Sequence, residues 1–257
     1  MNQNDHPNGG VSLTTENGIG TIEFFHPASN SLPGAVLKKL AETITEAGED
    51  ENIKVIVLKS TGDRAFCAGA SFDELMAIEN EIVGKEFFMG FARVINAMRK
   101  APKFIIGRIQ GKTVGGGVGL ASSLDYCLAT KFASVKLSEL AIGIGPFVVG
   151  PAVQRKLGLS GMSQLAIDAS SWRSAEWAKT HGLFAEVFDN VEELDAEVNA
   201  LASRLANSNP EAMAGLKENF WSGTENWDEL LTERAAMSGQ LVLSEFTRNA
   251  ISAFKAK

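Results

Sequence analysis

A chain of 257 residues and 27.4 kDa can bury one large core or two smaller ones, which excludes a peptide or a cross-linked miniprotein. Hydrophobic residues at 45%, charged residues at 21% and a mean hydropathy of +0.01 exclude a disordered chain and match an ordinary soluble globular protein. With 24 basic against 31 acidic side chains the net charge is −7, and without a cluster of positive charge that balance excludes nucleic acid as a partner.

Residues 1–10 are polar and lack the basic and apolar regions of a secretory signal, so nothing there directs export. From Gly18 the run Gly-Ile-Gly-Thr-Ile-Glu-Phe-Phe alternates as a strand does, and Pro27, Ser29, Asn30, Ser31, Pro33 and Gly34 mark a loop. Val36, Leu40 and Ile44, with Leu37 and Ala41 beside them, recur at helical spacing over Lys38, Lys39, Glu42 and Glu46, and Gly48 ends that helix. Residues 55–58 are a continuous apolar run bounded by charge, the pattern of a strand buried on both faces. Strand, helix and strand predict a right-handed crossover.

The strand signal returns at 104–109, followed by a glycine-rich turn at 115–117, a small-residue helix over 118–124 and a strand at 126–129. Residues 140–153 form the longest mostly apolar stretch. It is shorter than the roughly 18 residues that span a bilayer and contains Gly143, Gly145, Pro146, Gly150 and Pro151, so a buried loop or a helix entry is expected and no membrane anchor. Beyond Ser160, Met162, Leu165 and Ile167, then Ala175, Trp177 and Ala178, suit helices, and 191–207 carries Leu194, Val198, Leu201 and Leu205 on one face. The expected organisation is an α/β core over 11–200 and a helical region over 201–257, with no repeat of fixed period. Two cysteines, Cys67 and Cys127, are too few for a disulfide framework, and a reducing, cytoplasmic compartment is expected.

His6, His26 and His181 lack metal-ligand spacing, so no metal site is expected, and His181 reads as a solvated turn residue. No G-x-S-x-G elbow occurs. Two small-residue turns carry more information, Phe66-Cys67-Ala68-Gly69-Ala70-Ser71 and Val114-Gly115-Gly116-Gly117-Val118-Gly119. Small side chains leave backbone N–H groups uncovered, and a helix starting after each turn adds the positive end of its dipole, so one donor from each could form an oxyanion hole. Close helix packing or phosphate binding would explain the glycines equally, and Cys67 reads also as a small buried residue. Glu139 is the only charge between Lys136 and Arg155. It is either a buried acid whose pKa desolvation raises toward neutrality or a strand-end residue paired with Lys136 or Arg155.

Taken together, these segments resemble the crotonase superfamily, the enoyl-CoA hydratases and isomerases, from about Gly18 to the C-terminus. Phe66-Cys67-Ala68-Gly69-Ala70 resembles the family's F-C-A-G-A-D, Gln110-Gly111 followed by 115–117 its N-G-x-x-x-G-G-G, and Glu139 with Gly143 and Pro146 its E-x-x-x-G-x-x-P. The resemblance implies a ββα spiral core with a C-terminal helical region that serves assembly and the CoA site. It implies that the amides of Ala68 and Gly116 hold the thioester oxygen of an acyl-CoA and that Glu139 transfers the proton. Ala68, Gly69, Ala70, Ser71, Phe72 and Gly116 would contact the substrate, and Phe254, on a helix over 246–257, would reach the CoA site of a neighbouring subunit. A homotrimer or dimer of trimers is implied, with no separate cofactor because coenzyme A belongs to the substrate.

Three departures shape the expected activity. Gly119 stands where two-carboxylate hydratases of the family carry their other glutamate. One carboxylate suits shuttling a proton between carbons better than holding a water, so Δ3–Δ2 isomerisation of an enoyl-CoA is favoured over hydration. Asp73, Glu74, Glu79 or Glu81 is the candidate for any assisting acid, and a non-catalytic acyl-CoA binder is the third reading. Ser71 replaces an aspartate that would brace the first turn. Phe147-Val148-Val149 replaces a glycine-rich loop and is expected to narrow the acyl pocket.

Overall fold

The computed structural model describes residues 8–255, with side chains through residue 253. β1 (Gly10–Glu16) and β2 (Ile19–Phe25) form an antiparallel hairpin through Asn17 and Gly18, both at positive φ. α1 (Gly34–Glu49) follows, its first N–H capped at 2.8 Å by the Glu74 carboxylate. Next come β3 (Val55–Ser60), β4 (Ala65–Cys67), α2 (Phe72–Met76), α3 (Glu81–Lys100), β5 (Ile105–Ile109), β6 (Lys112–Val114), α4 (Gly116–Ser123), β7 (Tyr126–Thr130) and β8 (Ser134–Lys136). A short 3-10 turn at Leu140–Ile142 leads to α5 (Gly150–Ile167), β9 (Arg173–Ser174), α6 (Ala175–Thr180), β10 (Glu186–Phe188), α7 (Val191–Ala206), α8 (Pro210–Phe220), α9 (Trp227–Leu241) and α10 (Glu245–Lys255).

From β3 to β8 successive strands alternate between two sheets. The larger has the order β1-β2-β3-β5-β7-β10 and is parallel after the first hairpin; the smaller has the order β4-β6-β8-β9 and is parallel except at β9. This α/β spiral, in which each turn donates one strand to each sheet, matches the expected ββα core. The run Val55-Ile56-Val57-Leu58 is apolar throughout because the large sheet is covered on both faces. Ile56 and Leu58 join the main core with α1 and α3, while Val55 and Val57 pack under Leu194, Val198 and Ala202 of α7.

The boundary expected between residues 200 and 201 therefore falls inside α7, whose apolar stripe belongs to the core sheet. Nor are the later helices a separate layer, because Trp227, Leu231 and Ala235 of α9 enter the main core. Where α9 crosses α3, the backbones touch: a Cβ on Gly84 would lie 2.9 Å from the Gly239 Cα, and one on Gly239 2.5 Å from the Lys85 nitrogen. α8 is anchored by Lys217, whose ammonium donates to Asp125 at 2.8 Å and to the Lys103 carbonyl at 2.8 Å, both ion-pair partners being almost fully buried. Asp125 also accepts from the Ile105 N–H and the Trp221 indole.

Candidate active site

The two small-residue turns lie at the same end of the small sheet. β4 and β6 are parallel neighbours, so the segment after Cys67 and the segment after Val114 emerge side by side. A Cβ on Gly117 would lie 2.5 Å from the Cys67 carbonyl oxygen, and one on Gly69 would lie 3.2 Å from the Val114 carbonyl oxygen and 3.7 Å from the Gly116 nitrogen. Only glycine permits that approach, and Gly69 and Gly115 also adopt φ of 91° and 52°. The Gly116 N–H is the first of α4 and has no carbonyl one turn behind it within the helix, so it carries the partial positive charge of a helix start. The Ala68 N–H reaches the Asn30 carbonyl at 3.3 Å, a long bond that an incoming oxygen can displace.

Ser71 keeps the first turn in place despite the lost aspartate. It is buried, its N–H donates to the Leu32 carbonyl at 3.0 Å, and its hydroxyl caps α2 by accepting from the Glu74 N–H. It is a brace behind the cavity, whereas Ala68, Gly69, Ala70 and Phe72 line it.

Glu139 lies three residues beyond the end of β8, immediately before the Leu140–Ile142 turn and with no side-chain capping bond to it, not at the strand end that the sequence suggests. Its carboxyl lies over the second turn, with Oε1 3.2 Å from where a Gly115 Cβ would be. The residue as a whole is only partly buried, but Oε2 is shut off from solvent and finds no hydrogen-bond partner within the protein. Burial pushes its pKa up to about 7, opposed only weakly by a backbone hydrogen bond. The ion-pair alternative does not form: Arg155 donates to the carbonyls of Phe220 and Ser222, and among the described residues Lys136 makes no ion pair. A carboxyl that exchanges its proton near neutrality, facing two backbone donors, can take a proton from carbon while the donors hold the oxygen that gains charge.

These groups open into a cavity of about 690 Å³. Its roof is aromatic, Phe87, Phe88 and Phe91 of α3, a contribution that the sequence reading missed although three aromatics within five residues of one helix mark a face. Phe91 also explains Gly116, because a Cβ there would lie 2.3 Å from its ring. Val148 and Val149 line the cavity, as expected of the loop that replaces glycines, while the Phe147 ring folds onto Gly145. Among the described lining residues Glu139 is the only carboxylate. Asp73, Glu74, Glu79 and Glu81 are all exposed, and Glu74 is used in capping α1.

A side chain at Gly119 does not project freely toward Glu139, because its Cβ would lie 2.4 Å from Cγ1 of Val149. The C-terminal helix forms as α10 and packs on its own chain: Ala250 and Ala253 line this cavity, Ile251 is buried against Leu75, Ile78 and Ile144, and Phe246 covers Gly143. The Phe254 side chain lies outside the described residues. Cys67 and Cys127 are buried thiols pushed up to about 12 by desolvation, and His181 stacks on Trp177 with its Nδ1 at that residue's carbonyl; none of the three lines the cavity. No helix among the described residues is long and apolar enough to cross a membrane.

The chain is 25% identical over 249 residues to a probable enoyl-CoA hydratase of Bacillus subtilis, with 96% of each chain covered. It is 28% identical over 224 residues to a carnitinyl-CoA dehydratase of Proteus mirabilis, covering 84% of this chain and 81% of that one. The crystal structure of an enoyl-CoA hydratase from Bacillus halodurans shares the fold at a TM-score of 0.87, with 20% identity over 95% of this chain and 99% of that one. The sequence model of the enoyl-CoA hydratase/isomerase family matches residues 14–257, a span that takes in both turns, Glu139 and the helices over the cavity. With that match across nearly its whole length, the chain belongs to the enoyl-CoA hydratase/isomerase family.

Proposed function

We propose that the protein acts on an acyl-CoA thioester through an enolate and moves a double bond between C3 and C2. The carrying observation is the lone enclosed carboxyl of Glu139 in a cavity where Val149 fills the space over Gly119. Glu139 takes a proton from C2 of a 3-enoyl thioester, the electron pair delocalises onto the thioester oxygen held by the amides of Ala68 and Gly116, and the same carboxyl returns the proton at C4. Two fixed amides aimed at the developing charge account for about 10² or more in rate each. An apolar cavity of this size suits a short acyl group extending past Val148 and Val149.

Hydration of a 2-enoyl-CoA is the second reading, favoured by relatives named as hydratases and dehydratases. Glu139 would then direct the water alone. The test is the ratio of isomerisation to hydration on matched 3-enoyl and 2-enoyl-CoA esters of C4 to C8. Isomerisation is expected to be faster. Efficient hydration with little isomerisation would overturn the preference, and turnover of neither with intact binding would leave a non-catalytic acyl-CoA binder.

A further inference from the structure

Among the described residues the cavity wall carries one positive charge that the chemistry above does not use. Apart from Glu139 and Lys136, its lining is apolar or serine. Lys136 ends β8 on the face that also carries Val114 of β6, since Val114 and Lys136 are paired and both line the cavity while Thr113 and Val135 are fully buried on the other face. Trp172 immediately precedes β9, whose antiparallel pairing of Val135 with Arg173 brings Trp172 beside Lys136. It too lines the cavity. The Lys136 ammonium lies 5.5 Å from the Trp172 ring centroid and that of Lys112 lies 5.3 Å from the same centroid. Among the described residues neither lysine has a carboxylate partner. Two ammonium groups gathered on one indole repel each other and lack a counter-ion, which is the electrostatic form of a site for an anion.

The order of the small sheet says which part of the substrate that anion belongs to. β4 leads to Ala68, Gly69 and Ala70, β6 to the Gly116 amide, β8 to Glu139, and β9 begins beside Trp172. On the acyl-CoA reading we place the coenzyme of a thioester held between the first two strands on the β4 side and its acyl chain on the side of β8 and β9. Two strand spacings, about 10 Å, separate β4 from β8. We propose that Lys136, assisted by Lys112 and Trp172, reads a carboxylate at the far end of the acyl chain, so that the preferred substrates are mono-CoA thioesters of short dicarboxylic acids. This rests on the acyl-CoA reading above and sharpens it.

The test compares binding of adipyl-CoA and hexanoyl-CoA, which share chain length and differ in ending as carboxylate or methyl, with CoA itself as reference. Neither acyl group carries a double bond, so calorimetry reads affinity without turnover. The protein as it stands should bind adipyl-CoA roughly tenfold or more tightly than hexanoyl-CoA, and added salt should shrink that preference. Lys136→Met should bring the ratio close to one, Lys112→Met should lower it in part, and Lys136→Arg should keep it, which separates lost charge from a damaged fold. Equal binding of the two esters overturns the proposal and leaves the acyl-CoA reading standing. A Lys136→Met variant that loses affinity for CoA as much as for adipyl-CoA also overturns it, since the lysine would then read the coenzyme's phosphates. Failure of both esters to bind overturns the acyl-CoA reading and this proposal with it.

Discussion

Val149 occupies the volume that a side chain at Gly119 would need, its Cγ1 2.4 Å and its Cβ 2.7 Å from the Cβ position. The two positions act as a pair: a small residue at 119 admits valine at 149, and valine at 149 forbids an acid at 119. Gly119→Glu alone should therefore damage folding, by overpacking of about 1–3 kcal/mol or more. Gly119→Glu with Val149→Gly should fold and gain hydration relative to isomerisation, measured as the rate ratio on matched C4 to C8 esters. Two facing carboxylates would raise one another's pKa, so the gain should be largest above neutral pH. An unchanged ratio in a folded double variant would remove the argument from the missing acid.

Replacing Glu139 with Gln should abolish turnover and leave acyl-CoA binding nearly intact, because shape is kept and the exchangeable proton is lost. Activity within about tenfold of the parent would assign the proton transfer elsewhere.

Burial sets the pH behaviour of the same residue. Its folded pKa is raised from 4.5 to about 7, so the folded chain holds a proton that the unfolded chain releases. The stability this contributes is fully present below about pH 4.5 and is lost as pH rises through 7. The carboxylate form is the base, so kcat/KM should climb with pH through an apparent pKa near 7. Thermal melts at pH 5 and pH 8 should show Glu139→Gln gaining on the parent at the higher pH, by an amount on the order of 2–4 kcal/mol. A melt difference that ignores pH, or a flat rate profile, contradicts the enclosed-carboxyl assignment.

In the proposed mechanism Gly116 has two separable duties, to donate its N–H and to leave room for Phe91. Gly116→Ala keeps the donor but pushes the ring, whose nearest atom would be 2.3 Å away. Adding Phe91→Leu should restore much of its activity. Gly116→Pro lacks the donor, and in the Phe91→Leu background it should stay about 10² or more below the parent with a normal circular dichroism spectrum. Full activity in that variant would take the amide out of the oxyanion site.

Lys217→Met tests the anchor of α8. It removes one member of a buried pair and leaves Asp125 with only the Ile105 and Trp221 donors, so urea unfolding should show a loss of about 3–5 kcal/mol. A loss below about 1 kcal/mol would mean that Asp125 is adequately held without the lysine.

The long, strongly patterned elements were legible in the sequence. β2, α1, β3, β5, α4, β7 and α7 lie within a few residues of where alternation, helical stripes and glycine turns put them. β4, β6, β8, β9 and β10 are two or three residues long, too short to show a period, and their pairing is decided by the spiral rather than by their own composition. α3 carries Gly84 and Gly90 on its buried face where apolar side chains would announce a helix, so it passed unread. α5 starts at Gly150 rather than beyond Ser160 and bends at Gly158, where φ is 71°. At the cavity, Glu139 and the two small-residue turns were readable because each is a short local run of sequence. Val149 against Gly119, Phe91 against Gly116 and α10 over its own cavity are contacts between distant segments, which only the folded chain displays.

The crossing of α3 and α9 contains no side chain at its centre, only Gly84 against Gly239, and so has nothing that can rotate to absorb a change. Phe87, Phe88 and Phe91 hang from one side of that crossing and Ser238 from the other, all on the cavity wall. A single methyl group at either glycine would wedge the helices apart and alter the chamber's width without touching any residue inside it. Two positions with no side chains thus set the spacing of two helices that wall the cavity, and variation there would reshape the cavity while Glu139 and both small-residue turns stay the same.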